Sequence, residues 1–443
     1  MRPGGELKDE LCKITDLGER RFRSPLRLST KVGDGRANYI DDKSRVLLDI
    51  VAPEGRDYST DMCFQQAGPR AMIYFDPPRT RAAIVTCGGL SPGLNNVIRS
   101  VFLELHYHYG IQELIGFKYG YRGINPVHGN QPVRITREFV RTIHNEGGSV
   151  LGCSRGAEDA SVIVDRLQEM DIDMLFCVGG DGTLKGAHGI WQEVERRGAK
   201  IAVVGIPKTI DNDIAYVYKT FGFDTAVGVV KQALEGAHVE SQGTPNGVSV
   251  VKVMGRDSGF IAAHSALASG EANFCLIPEV PFDLYGDDAF LDCLEKRVVE
   301  RGHAVVVVAE GAGQELFDES AREFDASGNI IHHDIGHLLV GAIEAHFKRC
   351  GINAHVKYIN PSYLIRSVKA NASDAIFCNN LARHAVHAGM AGKTDVVIGL
   401  WHGVYVHAPM PLVVQKRKRI NPESYLWRDV LAATGQPVSM KSR

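Results

Sequence analysis

The sequence predicts an α/β chain of two doubly wound domains with a central cleft, preceded by an N-terminal extension. Three observations lead there. Short apolar runs bounded by turn residues alternate with stretches of helical pattern from Ala82 onward, a second series of the same kind begins near Phe223, and the polar or glycine-rich loops discussed below follow the apolar runs. Continuous apolar runs mark strands covered on both faces, as in a parallel sheet, and ligands of such sheets bind beyond the carboxyl ends of the strands. At 443 residues the chain is long enough for two cores.

Residues 1–80 are mixed in pattern, with turn-rich pieces such as RRFRSPLR and the segment Ala67 to Thr80, and read as an extension packed on a larger body. In the first series, residues 82–87 (AAIVTC) form a strand, Asn95 to His108 a helix, ELIGF a strand, Thr136 to Asn145 a helix and SVLG (149–152) a strand. A helix at Ser161 to Met170, the strand Met174 to Val178, a helix from Leu184 to Arg197 and the strand Ile201 to Gly205 complete it. The second series holds the strand VSVVKVM, a helix near Ile261 to Ser269, the strand FCLIP and the strongly apolar AVVVVAEG.

Composition excludes some classes. A chain 44% hydrophobic and 23% charged is ordinary for a soluble globular protein, and a net charge of −2 gives no basic field for nucleic acid. The run Lys416 to Arg419 (KRKR) is a local exception, read as a solvated face or a rim around an anionic ligand. The nine cysteines show no C-x-x-C spacing, and Cys87, Cys177 and Cys275 sit in apolar runs, which suits reduced thiols in the cytoplasm. No apolar stretch is long enough to cross a bilayer, the N-terminus lacks a secretory apolar region, and the C-terminal MKSR is not a peroxisome-type signal.

The chemistry is carried by four loops. In Cys177 to Gly186 (CVGGDGTLKG), Gly179, Gly180 and Gly182 let a ligand approach the main chain, and the following helix offers free N–H groups to an anion. Asp181 would repel a phosphate unless a cation lay between them, and Mg²⁺ is the simplest such ion. Gly88 to Asn95 is a second candidate phosphate cradle, and Cys153 to Gly156 supplies the guanidinium of Arg155 at the same sheet edge. Gly205 to Asp213 (GIPKTIDND) gathers Lys208, Thr209, Asp211 and Asp213, so that one carboxylate near a phosphate could take a proton from an attacking hydroxyl.

With these residues the chain resembles the phosphofructokinase family, and most closely its long-chain branch from plants, trypanosomatids and some bacteria. The likeness covers nearly the whole length in family order: AGPRAMIYFDP, CGGLSPGLNNVIR, GGDGT, PKTIDND, MGRDSGFIAA, IPEV, VAEGAGQ, NPSYLIRS and HAGMAGKTD. It implies two Rossmann-like domains, one for nucleotide (81–222 and 366–420) and one for sugar phosphate (223–365 and 421–443). Asp211 looks like the general base for the C1 hydroxyl of fructose 6-phosphate, with Thr209 orienting the sugar, Asp213 supporting the site, and Lys208 and Arg256 completing the catalytic set. Arg256 would meet charge on the transferring group.

The resemblance also places Gly89, Tyr121, Ser154, Arg155, Gly179, Gly180, Asp181, Gly182 and Thr183 at the nucleotide, Asp181 being the Mg²⁺ carboxylate. Met254, Gly255, Glu279, Lys357, Tyr363 and Arg366 close on the sugar and its 6-phosphate. The resemblance implies a cytoplasmic homo-oligomer, a homotetramer, acting on ATP and fructose 6-phosphate without nucleic acid or membrane. Tyr363 and Lys357 stand where shorter bacterial enzymes have histidine and arginine, and Gly247 where they supply arginine from a neighbouring subunit. Lys208 replaces a glycine and is common among pyrophosphate users. Gly182 points to ATP, because pyrophosphate enzymes commonly carry aspartate there, which fills the room for an α-phosphate.

Other readings fail on particular residues. NAD and lipid kinases share GGDGT but lack PKTIDND and MGR. A P-loop built on Ala391 to Thr394 lacks the glycine its spacing needs, since His387 stands there, and the helix and strand come in the wrong order. A catalytically silent regulatory subunit usually loses the TIDND aspartate or the GGD loop, and both are kept. The pairs His106 and His108, and His332 and His333, read as structural.

Overall fold

The computed structural model describes residues 12–51, 62–317, 323–324 and 330–442. The chain forms two compact units: Met1–Thr209 with Ile214–Gly222 and Val368–Arg417, and Ile210–Asp213 with Phe223–Ser367 and Lys418–Arg443. Sequence reasoning put 210–213, 366–367 and 418–420 with the first unit, and the contacts place them with the second. The chain changes unit between Thr209 and Ile210, inside the candidate catalytic loop.

The first unit is built on a nine-stranded sheet, in the order Arg45–Leu47, Cys63–Gln66, Val404–Pro409, Val396–Trp401, Ala202–Pro207, Met174–Gly179, Arg81–Thr86, Glu113–Phe117, Val133–Arg134. The five strands from Val396–Trp401 to Glu113–Phe117 are parallel and the flanking ones antiparallel. Successive side chains of a strand point to opposite faces. Met174, Phe176 and Val178 therefore join one core, with helices Leu94–Leu103 and Ala372–Met390, while Leu175 and Cys177 join the other, with Ala160–Glu169 and Asp181–Arg196. Both faces are covered, and this is why the strand reads as an unbroken apolar run.

The second unit has a four-stranded parallel sheet, in the order Phe274–Leu276, His303–Ala309, Gly247–Val253, His355–Ile359. The same alternation holds. Val305 and Val307 face the core of helices Phe223–Gln242 and Phe260–Ser269, and Val306 and Val308 that of Phe290–Arg301 and Ile335–Arg349.

Several expectations are corrected. The extension expected at residues 1–80 does more than pack on the larger body, since its described strands Arg45–Leu47 and Cys63–Gln66 extend the large sheet. The lysine of AGKT serves this region: buried Lys393 pairs with Asp16 at 2.9 Å and Asp42 at 3.6 Å. Burial opposes charge on Asp42, yet hydrogen bonds from Arg20 and Arg70 hold its carboxyl well below the usual range. SVLG is a turn, because Asn95 takes the Val150 N–H at 2.9 Å and donates to the Glu146 carbonyl, occupying groups a ladder would use. Thr136 to Asn145 is a short helix, Arg137–Val140, and a 3₁₀ turn, Ile143–Asn145. The helix from Leu94 turns into a π-helix at Glu104–Tyr109, where buried Tyr109 bonds His387 Nδ1 at 2.8 Å. All nine cysteines are free, and among the described residues no helix is long and apolar enough to cross a membrane.

Candidate active site

Three adjacent strands of the first unit, Ala202–Pro207, Met174–Gly179 and Arg81–Thr86, end level with one another: Pro207 is opposite Gly179, and Val178 opposite Thr86. Their loops therefore share one edge. The Lys208 N–H donates to the Gly179 carbonyl at 2.9 Å, and the buried Lys208 ammonium donates to the carbonyl of Gly89. Gly88 N–H bonds the Ser154 carbonyl at 2.9 Å, bringing the loop of Ser154 and exposed Arg155 alongside. Tyr121 comes from behind: fully enclosed, it donates to the Thr183 carbonyl at 2.7 Å and packs where a Cβ on Gly186 would sit. Burial pushes its hydroxyl well above the usual range.

The glycines of the GGDGT turn have separate reasons. A Cβ on Gly179 would lie 2.1 Å from Thr183 Oγ1, and one on Gly180 would lie 3.3 Å from the Lys208 carbonyl. At Gly182 it would meet nothing within 4 Å. Protein packing thus explains the first two glycines and leaves the third unexplained. The helix Asp181–Arg196 begins at this turn with Gly180 as its N-cap and no side-chain cap, so its first N–H groups suit an anion.

Asp181, in that first turn, pairs with Lys185 at 2.9 Å and Arg417 at 3.5 Å. A single carboxylate flanked by cations fits Mg²⁺ only if phosphate oxygens and water complete the shell, which is how Mg²⁺ is commonly held. Among the described residues Asp181 belongs to no group of three metal-capable side chains.

In the second unit the candidate base is tied to the MGR loop. Ser258 of MGRDSG donates to the Asp211 carbonyl at 3.1 Å. Asn212, at φ +53°, accepts from the Lys418 ammonium at 2.9 Å, and the Asp213 carbonyl accepts from Lys418 N–H at 2.7 Å. Burial pushes the Lys418 ammonium down to about 7, against the pull of Asp213. The loop after Gly247–Val253 is pinned in turn: Gly311 N–H bonds the Gly255 carbonyl at 3.0 Å, and a Cβ on Gly311 would lie 1.8 Å from the Arg256 carbonyl. Gly255, at φ +133°, brings its own hydrogen-bearing face within reach of the Ser258 carbonyl, where a Cβ would lie at 2.6 Å. Met254 packs partly on the core.

Beside this loop lies Glu310, whose carboxyl is raised by burial and pulled back by the charges of Arg256, Lys252 and Arg366. Arg366 lies in the helix Ser362–Ser367 with its guanidinium 5.0 Å from the ring of exposed Tyr363. Two other sugar-site candidates already have partners within the protein. The Glu279 carboxylate accepts from Gly259 N–H and Ile420 N–H, at 3.0 and 2.8 Å, with its pKa raised by burial. Lys357 lies inside a strand rather than in an end loop and pairs with Glu240. Gly247 admits no side chain, since a Cβ would stand 2.2 Å from the Ser241 carbonyl.

Sequence reasoning missed Ser258, Glu310, Arg417 and Lys418. It also set aside His332, whose imidazole pKa is lowered by burial and by the charge of Arg256, and raised by a hydrogen bond to the Arg256 backbone. Of the two readings of the basic run, a solvated face or a rim around an anionic ligand, the first does not hold for Arg417, which turns to Asp181, or Lys418, which turns to Asn212.

Glycine turns, a helix N-terminus and cations at one sheet edge, with a carboxylate loop held against an arginine loop, are the equipment of a phosphoryl-transfer protein. The family model for Phosphofructokinase matches residues 81–389, and the chain belongs to the phosphofructokinase family. It is 46% identical to the ATP-dependent 6-phosphofructokinase of Borreliella burgdorferi over 437 residues, 97% of this chain and 98% of that protein. Identity is also 46% to the ATP-dependent 6-phosphofructokinase of Amycolatopsis methanolica, covering 96% of this chain and 95% of that one. The chloroplastic ATP-dependent 6-phosphofructokinase 5 of Arabidopsis thaliana is 43% identical, covering 90% of this chain and 76% of that protein. Among solved structures, the pyrophosphate-dependent phosphofructokinase of Marinobacter aquaeolei aligns with TM-score 0.67 at 21% identity, over 80% of this chain and 91% of that one. At that identity it supports the fold alone.

Proposed function

We propose that this phosphofructokinase is a 6-phosphofructokinase that transfers the γ-phosphoryl group of ATP to the C1 hydroxyl of fructose 6-phosphate, giving fructose 1,6-bisphosphate and ADP. The carrying observation is Gly182, a glycine that no neighbouring protein atom requires, at the N-terminus of a helix suited to phosphate. Space kept open there is space for an α-phosphate and the nucleoside beyond it. The named ATP-dependent relatives, alike over nearly the whole chain, support the same donor.

In this reading the first unit binds nucleotide through Gly89, Ser154, Arg155 and the turn 179–183, with Tyr121 and Lys208 bracing those loops. The second unit binds sugar phosphate through Met254, Gly255, Tyr363 and Arg366. Glu279 and Lys357 act there through the segments they hold. Asp181 would hold Mg²⁺, which when bound neutralises charge on the donor phosphates. Phosphoryl transfer asks little covalent chemistry of a protein, so positioning and charge dominate. Asp211 takes the hydroxyl proton, Thr209 and Asp213 orient the acceptor, and Arg256 meets the developing negative charge. The free cysteines support a reducing compartment such as the cytoplasm. Assembly as a homotetramer belongs to the same proposal and is tested by measuring mass in solution.

One residue favours pyrophosphate as donor. The Lys208 ammonium adds positive charge beneath both phosphate loops. Charge of that kind attracts either donor and excludes neither, whereas the room at Gly182 serves only the longer one. The deciding experiment assays the purified protein with fructose 6-phosphate and Mg²⁺, offering ATP and pyrophosphate in parallel. Turnover with ATP is expected, and activity with pyrophosphate alone overturns the assignment.

A further inference from the structure

Away from these loops, helices Phe290–Arg301 and Ile335–Arg349 cover one face of the second unit's sheet. His346 and Cys350 are four residues apart at the end of the second helix, so they stack on one face, and Glu295 meets them from the first. Nε2 of His346 lies 2.7 Å from Glu295 Oε2, Cys350 Sγ lies 3.3 Å from the same oxygen, and Sγ to Nε2 is 3.7 Å. These are the three metal-capable groups that converge among the described residues, with ligand atoms all within 4.8 Å of one another.

We infer that Glu295, His346 and Cys350 form a binding site for a divalent transition metal, with Zn²⁺ the best fit. Bonds of about 2.0, 2.1 and 2.3 Å to nitrogen, oxygen and sulfur in a tetrahedron separate the ligand atoms by about 3.4 to 3.6 Å. The two sulfur separations already stand near that spacing, and the nitrogen–oxygen pair needs to open by about 0.7 Å. A thiolate and an imidazole beside one carboxylate suit Zn²⁺ and disfavour Mg²⁺ or Ca²⁺, which want oxygen alone. Cys350 is exposed, so water can take the fourth position.

Binding has a defined proton balance. The Cys350 thiol loses its proton to solvent, and the proton on His346 Nε2 is exchanged for one on Nδ1, so one proton is released per metal. Arg349 opposes this arrangement, because its Nη2 now lies 3.3 Å from Nδ1 and donates to it. It is exposed and must turn away when Nδ1 carries the proton. The metal would clamp two helices of the second unit, a structural role separate from phosphoryl transfer.

The test titrates chelator-treated full-length protein with ZnCl₂ calorimetrically, and with CoCl₂ spectroscopically. One Zn²⁺ per chain is expected, along with a thiolate-to-cobalt charge-transfer band and release of one proton. Losing an outer partner alone costs a metal site about 10- to 100-fold, so Cys350→Ser and His346→Gln should each weaken Zn²⁺ binding by about tenfold or more. Arg349→Ala should tighten it, and kinase activity should stay unchanged in all three. Zn²⁺ binding that is absent, or equal in wild type and a Cys350→Ser/His346→Gln double variant, overturns the inference. A cobalt spectrum without the thiolate band does the same.

Discussion

The turn 179–183 and the loop 210–213 depend on different things. In the turn, missing side chains matter most, with Gly179 making room for Thr183 and Gly180 lying against the Lys208 carbonyl, while the Tyr121 hydroxyl braces the Thr183 carbonyl from behind. In the loop, no glycine is involved and distant segments set the shape: Ser258 on the Asp211 carbonyl, and Lys418 on Asn212 and the Asp213 carbonyl. A site made of backbone tolerates change in the side chains around it and fails when a Cβ is added. A site held by remote side chains fails when one of those is cut. The contrast suits the two proposed tasks, since phosphates are cradled by N–H groups whereas a proton acceptor must be aimed.

Variants that break one region without the other put this contrast to work. The largest effect is expected at Asp211→Asn, which removes the proposed base and keeps the shape. Its kcat should fall by roughly 10² to 10⁴ with the fructose 6-phosphate KM within a few fold. Steady-state kinetics at neutral pH decide it, and near wild-type turnover removes Asp211 from the role.

Next comes Gly182→Asp. The new side chain meets open space in the protein and stands in a helix first turn, where a carboxylate is favoured, so thermal stability should hold. ATP should suffer by clash and like charge, with kcat/KM down by about 10²-fold or more. Unchanged ATP kinetics would detach Gly182 from the donor.

Arg366→Ala should be milder. A charge-assisted contact to a phosphate that does not react contributes about 1.5 to 3 kcal/mol, so the fructose 6-phosphate KM should rise about 10- to 100-fold. The ATP KM should stay within a few fold, and equal changes in both would take Arg366 off the sugar.

The smallest effect is expected at Lys418→Met, where only the hold on the loop is loosened and kcat falls by about tenfold or less. Here stability carries a sign. With its pKa pushed down from 10.5 to about 7, Lys418 binds fewer protons folded than unfolded between those limits. The cost of a buried charge is therefore full below pH 7 and fades as pH rises toward 10. Urea unfolding at pH 7 and pH 9 should show wild type gaining on Lys418→Met by up to about 1 kcal/mol per pH unit. A difference that is flat, or that shrinks with pH, would mean the ammonium is solvated.

How far each region was legible in the sequence follows from the same contrast. A strand, three glycines and a helix are local patterns, so the strand–turn–helix of the candidate phosphate site could be read from ten consecutive residues. Asp211 stood out as a charged group after an apolar strand, whereas Arg256 was placed by the family resemblance alone. Their supports did not, because Ser258, Glu310 and Lys418 come from segments far along the chain that no periodicity links to the loop. Lys418 was hidden inside KRKR, where composition suggests a solvated face or a rim around an anion rather than a buried lysine. SVLG failed for a similar reason, since apolar residues with strand propensity lost their ladder to Asn95, a side chain on another element.

The two outermost strands of the large sheet are very short, three residues at Arg45–Leu47 and two at Val133–Arg134. A sheet edge is a template on which a second chain can pair, and short edge strands blunt it. Without the strands that precede Arg81, the exposed edge would be the six-residue Val404–Pro409, which carries Val406 and Ala408 of the core. The described strands before Arg81 thus cover a longer edge, and a protein lacking them is expected to associate edge to edge more readily.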